Sequence, residues 1–201
     1  NSSGAMLFNS YAFLFGFLPC AVLGYFVFGR LGKTWGAGWL AACSLVFYGW
    51  WNAHYLLLLG ASIVGNFLAG ATIARHAGQR AGRHRLVVAV AANLLLLGYY
   101  KYADFFLGSL DAVLGVRWPL PHVLLPIGIS FFTFTQIAFL ADAYAGKVRE
   151  YRFIQYLLFV SYFPHLIAGP VLHHKEMMPQ FDDDRKYRAS AADFAVGATI
   201  F

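Results

Sequence analysis

The sequence predicts an all-α polytopic membrane protein, and three observations carry that reading. Of the 201 residues, 60% are hydrophobic and only 12% are charged, against roughly 45–50% and about 25% in a soluble domain. No Asp, Glu, Lys or Arg occurs from Asn1 to Gly29 or from Thr34 to Ala74, and apolar runs of that length find their solvent in a bilayer. The basic residues stand in short blocks between such runs, as they do in membrane loops. The net charge of +6 therefore does not point to nucleic acid, because no basic stripe with interleaved aromatics lies on a polar face.

Residues Asn1–Ala5 precede Met6 and read as tag or upstream residues, outside the fold. The first span is Tyr11–Phe28, with no basic stretch before it and no small-residue cleavage site after it, so it is a retained helix rather than a leader. The uncharged run from Thr34 is too long for one span of about 20 residues. Trp50-Trp51-Asn52-Ala53-His54-Tyr55 divides it, with Trp and Tyr in the pattern of an interfacial belt. Span two is then Trp35–Trp51 and span three Tyr55–Ile73. The basic loop Arg75–Arg85 follows, then span four, Leu86–Leu107, with Lys101 and Asp104 one turn apart near its end. Span five is Val123–Ala141, closed by Asp142. Cys20 and Cys43 lie inside apolar runs and read as small buried hydrophobes.

Phe153–Leu172 is apolar too, but Pro164 and Gly169-Pro170 interrupt it. Proline removes a donor and clashes with the preceding turn. Broken backbone at membrane depth is tolerated only where protein or a wet cavity satisfies it. This segment is therefore expected to be a broken or re-entrant helix. Lys and Arg number two after span one, none after span two, four after span three, two after span four and three after span five. That alternation puts the N-terminus outside and the loops 30–34, 75–85 and 142–152 in the cytoplasm. A re-entrant path over 153–172 returns the basic residues of 173–188 to the same side. There is no internal repeat or linker, so 6–201 is read as one membrane domain.

Two clusters carry candidate chemistry. Ser130, Thr133 and Gln136 recur every third residue and share a helix face. Such a stripe is either glue between helices or the lining of a cavity, and spacing favours glue. His165 lies within the broken helix, beside Gly169-Pro170. It either lines a polar tunnel or bonds the backbone that the prolines free. No metal site is expected: His173 and His174 are adjacent, and no acidic or thiol ligand stands at ligand spacing. His54, His76, His84 and His122 read as interfacial. No phosphate loop, nucleophile elbow or paired-carboxylate site appears.

The same clusters make the chain recognisable. LPIGISFFTFTQIAFLADAYAGKV (125–148) and YLLFVSYFPHLIAGPVLHHKEMMPQF (156–181) resemble the membrane-bound O-acyltransferase family. They are most similar to its bacterial branch of alginate O-acetyltransferase membrane subunits and teichoic-acid D-alanyl transfer proteins. MLFNSYAFLFGFLP (6–19) and GYYKYADFF (98–106) are similar to the same branch. The resemblance implies that 6–201 is the incomplete N-terminal portion of the acyltransferase domain, part of a ring of transmembrane helices around a tunnel. It implies transfer of an acyl group, acetyl in this branch, from a cytoplasmic donor to hydroxyls of an exported polysaccharide such as alginate. The donor it implies is acetyl-CoA or an acyl carrier, with no bound cofactor. The partners are the bilayer and the polysaccharide or periplasmic acetyl-transfer proteins, in the bacterial inner membrane. The family's catalytic histidine is expected downstream of Phe201, in a Trp-His-like context that no stretch here matches. No catalytic residue is therefore assigned, and the 201-residue stretch is expected to be inactive alone. His165 stands where many relatives have glutamine. Ser130, Thr133, Gln136, His165, Gly169 and Pro170 are the candidates for lining the tunnel. The alternatives are a non-catalytic membrane scaffold, separated from the enzyme by that downstream histidine, and a transporter. A transporter needs paired discontinuous helices in two related halves, and only one break is present.

Overall fold

A computed structural model describes residues 10–114, 124–147, 152–162 and 199. Among the described residues every regular element is helical. A π-helical turn, Phe13–Phe17, leads into α1 (Leu18–Gly29). Then come α2 (Lys33–Trp51), α3 (Ala53–Ala74), α4 (Arg80–Leu114), α5 (Ile129–Tyr144) and α6 (Phe153–Ser161). The chain packs as two compact units, Asn1–Gly60 with Tyr151–Phe201, and Ala61–Glu150.

The helix boundaries follow local chemistry. Pro19 stands in the first turn of α1, directly after the π-helical turn, where its missing N–H leaves no donor for a normal α register. Gly32, at φ 141°, ends the α1–α2 turn in a conformation that L side chains avoid. The break expected at Trp50–Tyr55 is Asn52. Its backbone is extended, and its Oδ1 accepts the His54 N–H at 2.9 Å, an N-cap for α3. α5 starts at Ile129, six residues later than the expected span. Pro126 cannot donate, and Gly128 stands at φ 70° as the cap. α4 absorbs the second half of the basic loop and runs 35 residues.

α3 (Ala53–Ala74) and the Arg80–Ala103 part of α4 are long and apolar enough to cross a membrane, and Phe13–Gly29 is a shorter apolar helix. Only 28% and 11% of the two long apolar stretches are buried. Leu57, Leu68, Val88 and Leu95 are all more than half exposed. A core helix of a soluble protein hides such residues; these present them outward, as helices in lipid do. Cys43 is buried as expected, but Cys20 is exposed on α1. A face that meets lipid accepts a small apolar thiol as readily as a core does.

In the first unit, α2 packs against both α1 and α6. The Trp39 indole N–H donates to the Ala21 carbonyl (3.1 Å), and its ring stacks on Phe28 at 4.9 Å. Gly24 makes this possible, since a Cβ there would stand 2.2 Å from the indole. Phe13 and Phe17 close on Phe47 at 5.7 and 5.6 Å. Against α6, Ala37 and Ala41 allow Leu158 to bury completely, the small-residue route to close helix approach in membranes. In the second unit α4 packs against α5, and Gly70 of α3 lies under the Phe139 ring, with 2.4 Å left for a Cβ. Arg85 closes the α3–α4 turn, donating to His76 Nδ1 (2.6 Å) and the Thr72 carbonyl (3.3 Å).

Candidate functional site: a buried amide cluster

The most polar interior in the second unit joins three helices. α3 brings Ser62 and Asn66, one turn apart, so both fall on one face. α4 brings Asn93 and α5 brings Gln136. Asn66, Asn93 and Gln136 are 7%, 5% and 0% exposed, a depth at which unpaired amides are costly. Asn66 and Asn93 exchange bonds: Asn93 Nδ2 donates to Asn66 Oδ1 at 2.6 Å, and Asn66 Nδ2 donates to Asn93 Oδ1 at 3.1 Å. Gln136 Oε1 accepts from Ser62 Oγ at 2.8 Å and from Asn66 Nδ2. Asn66 Nδ2 also lies 2.9 Å from the Ser62 carbonyl. An amide has two hydrogens, so Asn66 shares them among more acceptors than it can serve singly.

This arrangement fixes the Gln136 amide. With two donors on Oε1, the Gln136 amide meets α3 through its oxygen. Its Nε2 is buried with no hydrogen-bond partner among the described residues, and so is Oγ1 of Thr133, three residues earlier on the same face. Buried polar atoms are rarely left so. The α5 stripe therefore bonds to α3 through the Gln136 oxygen, while its donor amide and the Thr133 hydroxyl have no partner among the described residues. Other buried hydroxyls are satisfied locally: Ser44 and Ser161 each donate to the carbonyl four residues back, at 2.8 and 2.7 Å. Ser62 reaches across helices instead.

Beside the cluster, between α3 and α4, runs a groove of about 350 Å³ with Ser62, Asn66 and Asn93 along it and Gly65, Ala69 and Ala89 as walls. Of the residues singled out in the sequence, Thr133 and Gln136 join this interior. Ser130 is only half-buried and makes none of the cluster's bonds. His165, Gly169 and Pro170 lie outside the described residues, as do His173 and His174. Sequence reading missed Ser62, Asn66 and Asn93. The signal was present: Asn66 and Asn93 are lone amides in otherwise apolar spans. Asp142 lies 3.9 Å from Lys147 Nζ at the end of α5, a partly exposed pair. The Asp104 side chain lies outside the described residues, and Lys101 Nζ stands over the Tyr102 ring at 5.4 Å.

Residues 122–199, which include the α5 stripe, match the profile of MBOAT, the membrane-bound O-acyltransferase family. The chain is 39% identical to the peptidoglycan O-acetyltransferase of Helicobacter pylori, over 98% of this chain and 42% of that protein. It is 39% identical to the probable alginate O-acetylase AlgI of Pseudomonas aeruginosa, over 98% of this chain and 38% of that protein. The chain is similar to the membrane-bound O-acyltransferase family over residues 122–199. A third relative, the probable alginate O-acetylase of Azotobacter vinelandii, is 38% identical and covered over 39% of its length. The chain thus spans about two fifths of the length of the curated relatives it matches. No solved structure matches it. The relatives align over nearly the whole chain, so Ser62, Asn66 and Asn93 fall within the shared region as well as Gln136.

Proposed function

We propose that the chain is part of a membrane O-acetyltransferase that moves an acetyl group from a cytoplasmic donor to hydroxyls of an exported polysaccharide. The observation that carries this is the equal 39% identity to two proteins named for O-acetyl transfer to different polymers, peptidoglycan and alginate. The shared element of those names is acetyl transfer to a glycan hydroxyl. The polymer is the part that varies, so the acceptor proposed here is the class, an exported glycan. The donor is acetyl-CoA or an acyl carrier. The setting is the bacterial inner membrane, with the N-terminus outside and the helices forming part of a ring around a tunnel.

The chemistry assigns roles to the parts. Acyl transfer to an alcohol needs a base at the hydroxyl, worth typically about 10²–10⁴-fold, and a site closed to water. The base proposed is the histidine of a later family segment, not any histidine of residues 1–201. The contribution of this part is the passage. Thr133 and Gln136 supply its polar lining, Ser62 and Asn66 hold the Gln136 amide in its observed orientation, and Ser130, His165 and the Gly169-Pro170 break continue the lining. A re-entrant 153–172 returns the basic residues of 173–188 to the cytoplasmic side.

Disrupting the gene and measuring O-acetyl esters on the exported or wall glycans by proton NMR tests this reading. Loss of acetyl esters from one glycan, restored by the intact gene, is the expected result. Unchanged ester content on every glycan of the strain, with the disruption verified, would overturn it.

A further inference from the structure

The turn that joins α3 to α4 carries a set of contacts that the acyl-transfer reading does not use. α3 tightens as it ends, and the His76 N–H bonds to the Ile73 carbonyl at 3.0 Å instead of reaching Thr72. Two side chains meet the Thr72 carbonyl in its place. His76 Nδ1 lies 3.0 Å from it and Arg85 Nη1 lies 3.3 Å from it. The same Arg85 nitrogen is 2.6 Å from His76 Nδ1 and 3.4 Å from Nε2. A guanidinium has hydrogens to give and no lone pair to offer. Nδ1 is therefore the acceptor, and the ring is neutral with its hydrogen on Nε2. The backbone of His76 is held closely by the first turn of α4, where a Cβ on Gly82 would stand 2.1 Å from the His76 carbonyl. The other charged or titratable side chains described at these helix ends are Arg75 on the α3 side, Arg80, Arg83 and His84 on α4, and Asp142 and Lys147 at the end of α5, 3.9 Å from each other.

Protonation reverses this pattern. Imidazole is the side chain whose ordinary titration falls between about pH 5 and 8. A proton on Nδ1 turns the acceptor into a donor, points it at a group that only donates, and sets two cations against each other. The Thr72 carbonyl accepts from either partner, so the protonated ring keeps a bond there while Arg85 loses its own to the ring. We propose that His76 and Arg85 form a pH-sensitive clasp between α3 and α4, closed by the neutral ring and released by the protonated one. The clasp is closed at the alkaline end and is lost as pH falls through the histidine range. Its reach follows from the groove of about 350 Å³ between the same two helices, which Ser62, Asn66 and Asn93 line and which Ala69 and Ala89 wall toward the turn. The clasp bridges α3 and α4 on the turn side of the Asn66–Asn93 pair. Releasing it lets the turn ends of the two helices part and widens the groove beside the amide cluster.

The test reads the separation of the two helices directly. The full chain, with Cys20 and Cys43 changed to Ala, carries spin labels at Leu68→Cys on α3 and Val87→Cys on α4, both 58% exposed, in lipid nanodiscs. Dipolar broadening follows the label separation from about pH 8 to about pH 5. Because the clasp is exposed to solvent, the open population should rise by about two- to fivefold over that range. His76→Asn, whose amide oxygen stands in for Nδ1 without titrating, should hold the closed separation at every pH. Arg85→Gln should give the open separation at every pH, and His84→Asn should leave the titration unchanged. Nitrogen NMR of ring-labelled histidine checks the premise, since His76 Nδ1 should carry no proton at about pH 8. A separation that does not change with pH would overturn the proposal, as would a change that survives His76→Asn or an Nδ1 already protonated at the alkaline end. None of these readouts involves acetyl transfer, so failure here leaves the proposed function standing.

Discussion

Gln136→Met separates a residue kept to join helices from one kept to line a passage. The substitution keeps a side chain of similar length and volume but removes the amide. Two accepted bonds disappear, from Ser62 Oγ and Asn66 Nδ2. Interhelical hydrogen bonds in membranes average about 0.6 kcal/mol each and reach about 1.7, so their loss costs about 1–3 kcal/mol. Asn66 keeps the Ser62 carbonyl and Asn93 as acceptors, and Ser62 can turn to its own helix as Ser44 does, which holds the cost to the lower end. In the opposite direction, methionine removes the buried Nε2, which has no partner among the described residues, relieving a penalty of about 1–3 kcal/mol. The two effects nearly cancel, and the net change in stability is expected within about 1 kcal/mol. Activity of the full-length protein has no such compensation. If the Nε2 donor lines the passage, acetyl transfer should fall by about tenfold or more, the effect of losing a bond worth about 1.4 kcal/mol in the transition state. Denaturation in mixed micelles reads the first quantity, and acetyl-ester formation by detergent-solubilised protein reads the second. Near-wild-type stability together with near-wild-type transfer would refute the lining role. A loss of stability beyond about 2 kcal/mol would show that the cluster is helix glue.

Other perturbations test the packing. Asn66→Ala and Asn93→Ala should be non-additive by about 0.5 kcal/mol or more in a double-mutant cycle, because the two amides bond reciprocally; additivity would mean the pair is not formed. Gly24→Ala should destabilise by about 1–3 kcal/mol, since the new Cβ meets the Trp39 indole, and Trp39→Leu in the same chain should recover part of that loss. Gly70→Ala should behave likewise against Phe139, with Phe139→Leu as the rescue, both read from micellar unfolding curves. Asp142→Asn should change stability by less than about 1 kcal/mol, and less still in high salt, because its pair with Lys147 is partly exposed.

The helices were legible because apolar run length and charge punctuation are direct consequences of the membrane as solvent. The π-helical turn with α1, then α2 and α3, lie within a few residues of their expected places, and the break between α2 and α3 falls at the Asn52 cap inside the Trp50–Tyr55 signal. α4 and α5 were displaced for opposite reasons. Charge marks where lipid ends but not where a helix ends, so Arg80, Arg83 and Arg85 stay helical outside the apolar span. Pro126 and Gly128 stop a helix even where the side chains are apolar, so α5 starts late. The stripe on α5 was visible from its three-residue spacing, and Thr133 and Gln136 do face one interior. What spacing could not show is which helices meet that face. Ser62 and Asn66 on α3 and Asn93 on α4 are up to 74 residues distant from Gln136 in the chain, and pairing at that range is a property of packing, not of local pattern. The Ser62 and Asn66 bonds are those of helix glue, and the Nε2 and Thr133 Oγ1, without partners among the described residues, are the atoms through which a lining role is tested.

The most direct measurement places the full-length protein in proteoliposomes with labelled acetyl donor on the side of the 30–34 and 75–85 turns and a glycan acceptor on the other. The expected result is label on glycan hydroxyls as alkali-labile ester, lost when the histidine proposed as base is replaced and reduced by Gln136→Met. Folded, correctly oriented protein that leaves every glycan unlabelled with acetyl-CoA and with an acetylated carrier alike would contradict the proposed activity.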